Sequence, residues 1–506
     1  MRIAFVSLYD FENNAVRQLA HYLRAHGHDA LEVYFKDWKN NGLPWPSEKE
    51  LADFVRGLRR FDADVVGFSL RASAYLEVCA FLAEHVREQL GVPILLGGVH
   101  ASLCPESTTG FADYVARGEA EQAIVELLDK MEAGEPTDDV ENFWVKDADG
   151  EIHRNDLRHL TIDLDEVSRR DFLHPDKLVI DEGFASSKDP LLNDTLYLVM
   201  ASRGCLFHCS FCYNSTMREL FAGKGRYYRT RSVDDVIAEL REAKQVFPRL
   251  KRIRFDDEIM PTNGAWLDEF AERYPREIGL PFECFLEPRV VEEDRLSKLV
   301  DAGLDTVYMG VQANDRVAKT LYDRRASNEG ILETARLYHK LGLEARFQVM
   351  VDDPFSTEED LRSLFDLINQ FPRPFRLYLF SMTVMPGTGL EKKLVAEGLI
   401  TEDEVEGAAT KTFYQYRVSL DWEREPTDKF WVSLMVMVNK PWFPAKALHW
   451  ASRSDFLKSH PDLLANAASA SNVLSMAGRL PRAINRGEVG LRVIRRFWTP
   501  GKWITA

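Results

Sequence analysis

Short apolar runs alternate with amphipathic stretches through the first 135 residues. The runs Arg2–Ser7, Leu31–Phe35, Asp64–Leu70, Pro93–Gly97 and Asp113–Ala116 have the length of strands. Between them, Ala15–His26, Glu48–Phe61, Tyr75–Leu90 and Ala120–Glu132 place apolar residues at helical spacing. Helices of this length between strands predict right-handed crossovers and an open, doubly wound parallel sheet. Ligands of such sheets bind beyond the carboxyl ends of the strands.

Residues 136–190 interrupt the alternation. Asn142–Asn155 reads as a hairpin around Asp147-Ala148-Asp149-Gly150, where Gly takes the positive φ of a tight turn. The remainder is charged and irregular, and is assigned as a linker packed between domains. From Leu196 to about Ile400 the alternation resumes. Strands are expected at Leu196–Ala201, Arg252–Phe255, Phe282–Leu286, Thr306–Gly310, Arg346–Val351 and Arg376–Met382, with helices between. Six such units predict a partial (β/α)6 barrel, whose chemistry collects at the strand C-termini. Residues 401–506 carry little strand pattern and read as a helical cap that includes Trp422, Trp431, Trp442, Trp450, Trp498 and Trp503. The expected class is α/β, with domains at 1–135, 136–190, 191–400 and 401–506.

Charge and composition narrow the function. The formal charge of −16 over 506 residues argues against a nucleic-acid ligand. From Phe430 onward there are 11 Lys/Arg against 3 Asp/Glu, a local +8 that leaves −24 elsewhere. Met1–Leu8 enters a strand without a basic leader or cleavage site, so a cytoplasmic location is expected. The apolar run Phe430–Val438 is about half of the roughly 20 residues a spanning helix needs. Six cysteines in such a chain do not suggest a disulfide framework. Cys79, Cys104 and Cys284 fit packing positions.

Cys205, Cys209 and Cys212 lie within eight residues, just after the first barrel strand. Thiolates spaced x3 and x2 on one loop can hold three irons of a [4Fe–4S] cubane and leave the fourth iron open. A zinc site or three ordinary cysteines is the alternative. Structural zinc takes four protein ligands, and no fourth Cys or His sits at finger spacing. The segment Cys205-Leu206-Phe207-His208-Cys209-Ser210-Phe211-Cys212 resembles the loop of the radical S-adenosylmethionine superfamily, with its aromatic residue, Phe211, before the last Cys. The resemblance implies a cluster whose open iron chelates S-adenosylmethionine, and a 5′-deoxyadenosyl radical. It also implies cofactor contacts from Asp256, Asp257, Arg289 and Gln312, and from the turn Met385-Pro386-Gly387-Thr388. An Asp pair at a strand end serves equally as a helix cap or a solvated turn. Gln312 stands where many relatives carry Glu, and Val351-Asp352-Asp353-Pro354 replaces their Gly-x-Pro turn.

Three turns of the N-terminal region extend the resemblance to cobalamin-binding members: Gly67-Phe68-Ser69-Leu70, Gly97-Gly98-Val99-His100 and Arg117-Gly118-Glu119-Ala120-Glu121. The resemblance implies a base-off cobalamin whose tail enters near Ser69, Leu70, Gly97 and Gly98, with Gly118 and Glu119 at the same edge. The alternative is a sheet that has lost its cofactor. The cobalt-ligating Asp-x-His-x-x-Gly loop is missing, since Tyr9-Asp10-Phe11-Glu12-Asn13-Asn14 contains no His. His100 is assigned a turn role rather than a cobalt ligand.

The expected activity is radical methylation of an unactivated carbon in a small-molecule, lipid or tetrapyrrole-like substrate. A flavodoxin- or ferredoxin-type electron donor is implied. Cyclisation or ring rearrangement without methyl transfer is the second reading, and a non-catalytic cofactor-binding protein the third. The basic, aromatic C-terminal segments, Lys440-Pro441-Trp442-Phe443-Pro444 and Arg492–Trp498, read either as a cap on the barrel or as a peripheral contact with an anionic membrane.

Overall fold

The computed structural model describes residues 1–38, 43–261, 263–401, 403–405 and 424–489. A strand whose successive side chains are all buried must be covered on both faces. Arg2–Leu8 (β1) is such a strand: Ile3 and Phe5 enter one core, and Ala4, Val6 and Leu8 the other. It is joined by Asp29–Phe35 (β2), Val65–Ser69 (β3), Ile94–Gly97 (β4), Tyr114–Ala116 (β5), Phe143–Lys146 (β6), Ile152–Arg154 (β7), Lys177–Asp181 (β8) and Phe184–Ser186 (β9). The sheet order is β7-β6-β5-β4-β3-β1-β2-β8-β9. β1 pairs in parallel with β2 on one side and β3 on the other. The crossovers therefore diverge there, and such a switch point opens a crevice at the carboxyl ends of β1 and β3.

The expected hairpin forms, with Gly150 at φ +85, and adds β6 and β7 antiparallel to β5. The rest of residues 136–190 differs from a linker, because β8 pairs in parallel with β2 and extends the opposite edge of the sheet. The cause is Arg17, wholly buried on the helix Asn14–Ala25. It pairs with Asp189, stands 3.7 Å from Glu32, and lies over the rings of Tyr34 and Phe172 at 4.4 and 4.6 Å. Asp189, in the charged stretch, and Glu32, on β2, are the counter-ions of a buried cation.

This sheet belongs to a compact unit made of Met1–Asn193, Phe211–Arg231 and the described part of 384–412. A second unit holds Asp194–Ser210, Ser232–Thr383 and the described part of 413–506. Its sheet has six parallel strands in chain order: Leu196–Val199, Arg252–Phe255, Phe282–Leu286, Leu304–Gln312, Glu344–Val351 and Arg376–Ser381. One face, including Phe255, Cys284, Met309 and Val349, is buried. The alternate residues Arg254, Phe285, Tyr308, Gln348 and Tyr378 are only half-buried, as expected for the inner wall of an open barrel. The run Phe430–Val438 lies in the helix Pro426–Val438, where Trp431 is buried 5.7 Å from the Phe365 ring. Among the described residues no helix is long and apolar enough to cross a membrane. Trp422, Trp498, Trp503 and Arg492–Trp498 lie outside the described residues.

Candidate active site

The crevice at the switch point is built by a short polar relay. Asn13 caps the first helix by accepting from Val16 N, and its amide donates to Ser7 Oγ at 3.1 Å and Ser69 Oγ at 3.0 Å. Ser69 thus accepts one bond and keeps its own proton to donate. At Gly97 an added Cβ would meet only Ala116 Cβ, at 3.7 Å, so the strand end offers open backbone. Ser69 and Gly97 therefore fit the tail of a cobalamin. The other turn residues serve the chain itself. Gly98 has φ +102, and a Cβ there would stand 2.7 Å from Leu70 O. Leu70 in turn donates to Gly97 O and accepts from His100 N, so its backbone is fully used.

His100 is buried, with Nδ1 2.7 Å from Ser73 Oγ and Nε2 2.8 Å from Ser107 Oγ. Burial lowers its pKa to about 4. Both ring nitrogens of the neutral imidazole are thus engaged, one as donor and one as acceptor. The electron paramagnetic resonance spectrum of protein loaded with cob(II)alamin is expected to show no nitrogen splitting that changes on 15N-labelling of the chain. A change would put a protein nitrogen on cobalt.

In the second unit, the first part of the cysteine loop is fixed from below by Asp257. This buried carboxylate accepts from Ala201 N at 3.1 Å and from Ser202 Oγ, three residues before Cys205. Asp257 is therefore an anchor of the loop rather than a group turned to a ligand, and burial raises its pKa to about 7. Asp256 points elsewhere and pairs with Arg254 at 3.0 Å. Ser210 donates through N to Tyr322 O and through Oγ to Leu321 O, at 2.9 and 2.6 Å. Tyr322 is itself held by Asp353, whose carboxylate also accepts from Phe355 N and Ser356 Oγ. The departure at Val351-Asp352-Asp353-Pro354 is thus a prop for the cysteine loop.

Charges of both signs stand beside Cys205 and Cys209, with Glu287 between Arg289 and Arg324. Arg289, aligned by Glu287, lies 3.7 Å over the Phe207 ring. The buried Arg324 bonds Gly310 O and has no partner for its Nε. Burial raises the pKa of Cys209; Arg324 and Arg289 oppose that shift, and Glu287 and Asp323 add to it. A thiolate in such a field is the form that binds iron. Gln312 has a left-handed φ of +67 at a bulge in its strand, and its amide folds back over Gly310. The sequence reading missed Arg324 and Tyr322. Both lie in a short loop whose role is visible only once the chain is folded.

In the first unit, Phe211 is half-buried and Cys212 opens the helix Tyr213–Leu220. Asn214 Nδ2 lies 3.9 Å from Cys212 Sγ, and Asn214 Oδ1 accepts from Tyr227 OH at 2.7 Å. This helix is seated on the turns that the sequence singled out. Gly118, at φ +75, leaves the space that Phe221 fills: an added Cβ would stand 2.3 Å from the ring. Glu119 is taken by Arg229 in a two-pronged pair, so its carboxylate holds the chain after the helix. Gly387 accepts from Thr216 Oγ1 at 3.1 Å and packs against Leu103, which brings the Met385–Thr388 turn into the same seat. Gly118→Ala is expected to cost about 2–4 kcal/mol, from strained backbone and a displaced ring. Adding Phe221→Ala relieves the clash, so urea denaturation of the double variant should show less loss than the two singles added.

Comparison with known proteins agrees with this geometry. Residues 3–128 match the B12 binding domain and residues 199–368 the radical SAM superfamily. The chain is 25% identical over 356 residues to an uncharacterized methyltransferase of Pyrococcus horikoshii, covering 69% of this chain and 73% of the relative. It is also 25% identical over 367 residues to bacteriochlorophyllide d C-8(2)-methyltransferase of Chlorobaculum tepidum, covering 68% and 71%. Its fold resembles the radical S-adenosylmethionine methyltransferase TsrM from Kitasatospora setae, solved with cobalamin and a [4Fe-4S] cluster bound. That match has a TM-score of 0.62 at 15% identity, over 90% of this chain and 89% of that one. A B12-binding sheet followed by a cysteine-bearing radical barrel in one chain places it in the family of cobalamin-binding radical S-adenosylmethionine enzymes.

Proposed function

We propose that the protein transfers a methyl group to an unactivated carbon of a small molecule. The observation that carries this reading is the seat of the Cys212 helix on Gly118, Glu119 and Leu103, which ties the third cysteine to the B12-binding sheet. The two relatives described as methyltransferases support it. When bound, the cluster supplies the electron that cleaves S-adenosylmethionine, and cobalamin supplies a methyl carrier.

The chain's own residues hold and orient. Cys205, Cys209 and Cys212 would ligate iron, and Arg289 and Arg324 favour the thiolate of Cys209 against burial. Asp257, Asp353 and Tyr322 fix the loop, so that the thiols are presented without reorganisation. On the inner wall of the barrel, Phe285 stacks on Tyr308 at 4.6 Å and Tyr308 on Tyr378 at 6.5 Å. Such a ladder suits a substrate with a flat, apolar part. Reduction calls for a one-electron donor of the flavodoxin or ferredoxin kind. The exposed Trp442, Trp450 and Phe456 support peripheral membrane contact as a finer reading, which salt-dependent pelleting with anionic liposomes tests.

Anaerobic turnover with candidate substrates tests the reaction. S-adenosylhomocysteine and 5′-deoxyadenosine should form together, in step with a product heavier by one methyl group. Deoxyadenosine without S-adenosylhomocysteine would replace methyl transfer by cyclisation or rearrangement.

A further inference from the structure

The turn between the helix Asn14–Ala25 and β2 holds a buried imidazole that the reaction does not use. His28 follows Gly27, which takes φ +89, and is 3% exposed. Its Nδ1 lies 3.3 Å from Met1 N. Its Nε2 is buried and makes no hydrogen bond among the described residues. A buried ring nitrogen left in this way calls for an ion or a water to complete it.

What Nε2 faces is a pair of carboxylates. Asp129 and Glu132 lie three residues apart, on one side of the helix Glu121–Ala133. Asp129 Oδ1 stands 3.4 Å from Nε2, outside hydrogen-bond geometry. One donor atom from each of His28, Asp129 and Glu132 lies within 4.8 Å of the other two. The backbone beneath them is fixed, because Ala20 and Leu23 of the first helix share a core with Ile124, Leu127 and Leu128 of the second. Both carboxylates are exposed, so an ion can enter from solvent and the side chains can turn to meet it. Glu132 Oε1, now 3.4 Å from Met1 N, would exchange that contact for the ion. Donors about 2.1 Å from a tetrahedral ion stand about 3.4 Å apart, and His28 and Asp129 already have that separation. Calcium and magnesium take oxygen donors, whereas one imidazole with two carboxylates suits zinc.

We propose that His28, Asp129 and Glu132 form a site for a divalent cation of the zinc class, which clasps the turn before β2 to the helix Glu121–Ala133. The turn enters the amino end of β2, beside the start of β1. The crevice opens at the carboxyl ends of the strands, so the clasp lies at the opposite end of the sheet. Its role is to hold the sheet together, and it does not depend on the methyl-transfer reading.

Equilibrium dialysis of the full chain against Zn2+ is the direct test, with cluster and corrinoid loaded so that the loop cysteines are occupied. The wild type should bind one zinc per chain, and Asp129→Asn, Glu132→Gln and His28→Gln should each raise its Kd at least ~tenfold. Asp129 and Glu132 are exposed, so their variants test the site even where His28→Gln fails to fold. Iron and cobalt contents equal to those of the wild type verify that a variant is intact. Zinc-edge X-ray absorption should show one imidazole and oxygen donors at about 2.0–2.2 Å. No zinc in the wild type, equal zinc affinity in wild type and Asp129→Asn, or a sulfur shell at about 2.3 Å would overturn the proposal.

Discussion

Replacing any one of Cys205, Cys209 or Cys212 with Ala should abolish cleavage of S-adenosylmethionine while leaving the fold intact. Phe207 N lies 3.5 Å from Cys205 Sγ, and Asn214 Nδ2 lies 3.9 Å from Cys212 Sγ, both at the long end for a bond to sulfur. All three cysteines are partly exposed, so truncation leaves no closed cavity. Stability of the cluster-free chain should change by less than about 1 kcal/mol. With two thiolates the cubane loses a corner, and turnover should fall at least about a thousandfold, or ~4 kcal/mol of barrier. Iron analysis and deoxyadenosine formation check the first claim, and urea denaturation of the unloaded protein checks the second. A variant that retains full cleavage would remove that cysteine from the ligand set.

Asp257→Ala should lower both stability and iron retention. Its carboxylate is the acceptor for Ala201 N and Ser202 Oγ, both then left buried without a partner. The expected loss is about 3 kcal/mol, with poorer retention of iron because the loop before Cys205 is released. Asp257→Asn separates this anchoring from charge. The folded carboxyl titrates at about 7, against 3.8 in an exposed chain, because burial disfavours its ionised form. The native state thus binds the proton more tightly than the unfolded state. Stability must therefore fall as pH rises between those two values, by up to about 4 kcal/mol. Asn carries no such proton. Its Oδ1 can accept from Ala201 and its amide can donate to Ser202, so denaturation curves at about pH 5 and about pH 8 should converge for the variant and diverge for the wild type. A wild type equally stable at both would contradict the assignment.

Much of the fold was legible because both sheets are parallel. Strands buried on one or both faces leave apolar runs such as Ile3–Leu8, and the connecting helices leave their own period. The cysteine site was legible because its chemistry is confined to eight residues. What escaped were pairings between distant charges. Asp189 falls in the stretch assigned as a linker, yet Arg17, 172 positions earlier, is buried against it. Glu119 reads as a ligand of the crevice until Arg229, 110 positions later, takes it. The glycines were signals of close approach, correctly sensed and differently used. Gly98 admits Leu70 and Gly118 admits Phe221, so chain meets chain where a cofactor was expected. At Gly97, by contrast, an added Cβ would meet only Ala116 Cβ, at 3.7 Å.

Metal analysis of the anaerobically reconstituted, desalted protein tests most directly whether one chain carries both cofactors. The account predicts about four iron atoms and one cobalt per chain. In the variant lacking all three cysteines of the loop, the iron should be lost and the cobalt retained. Iron without cobalt in the wild type, or loss of both metals together in that variant, would contradict it.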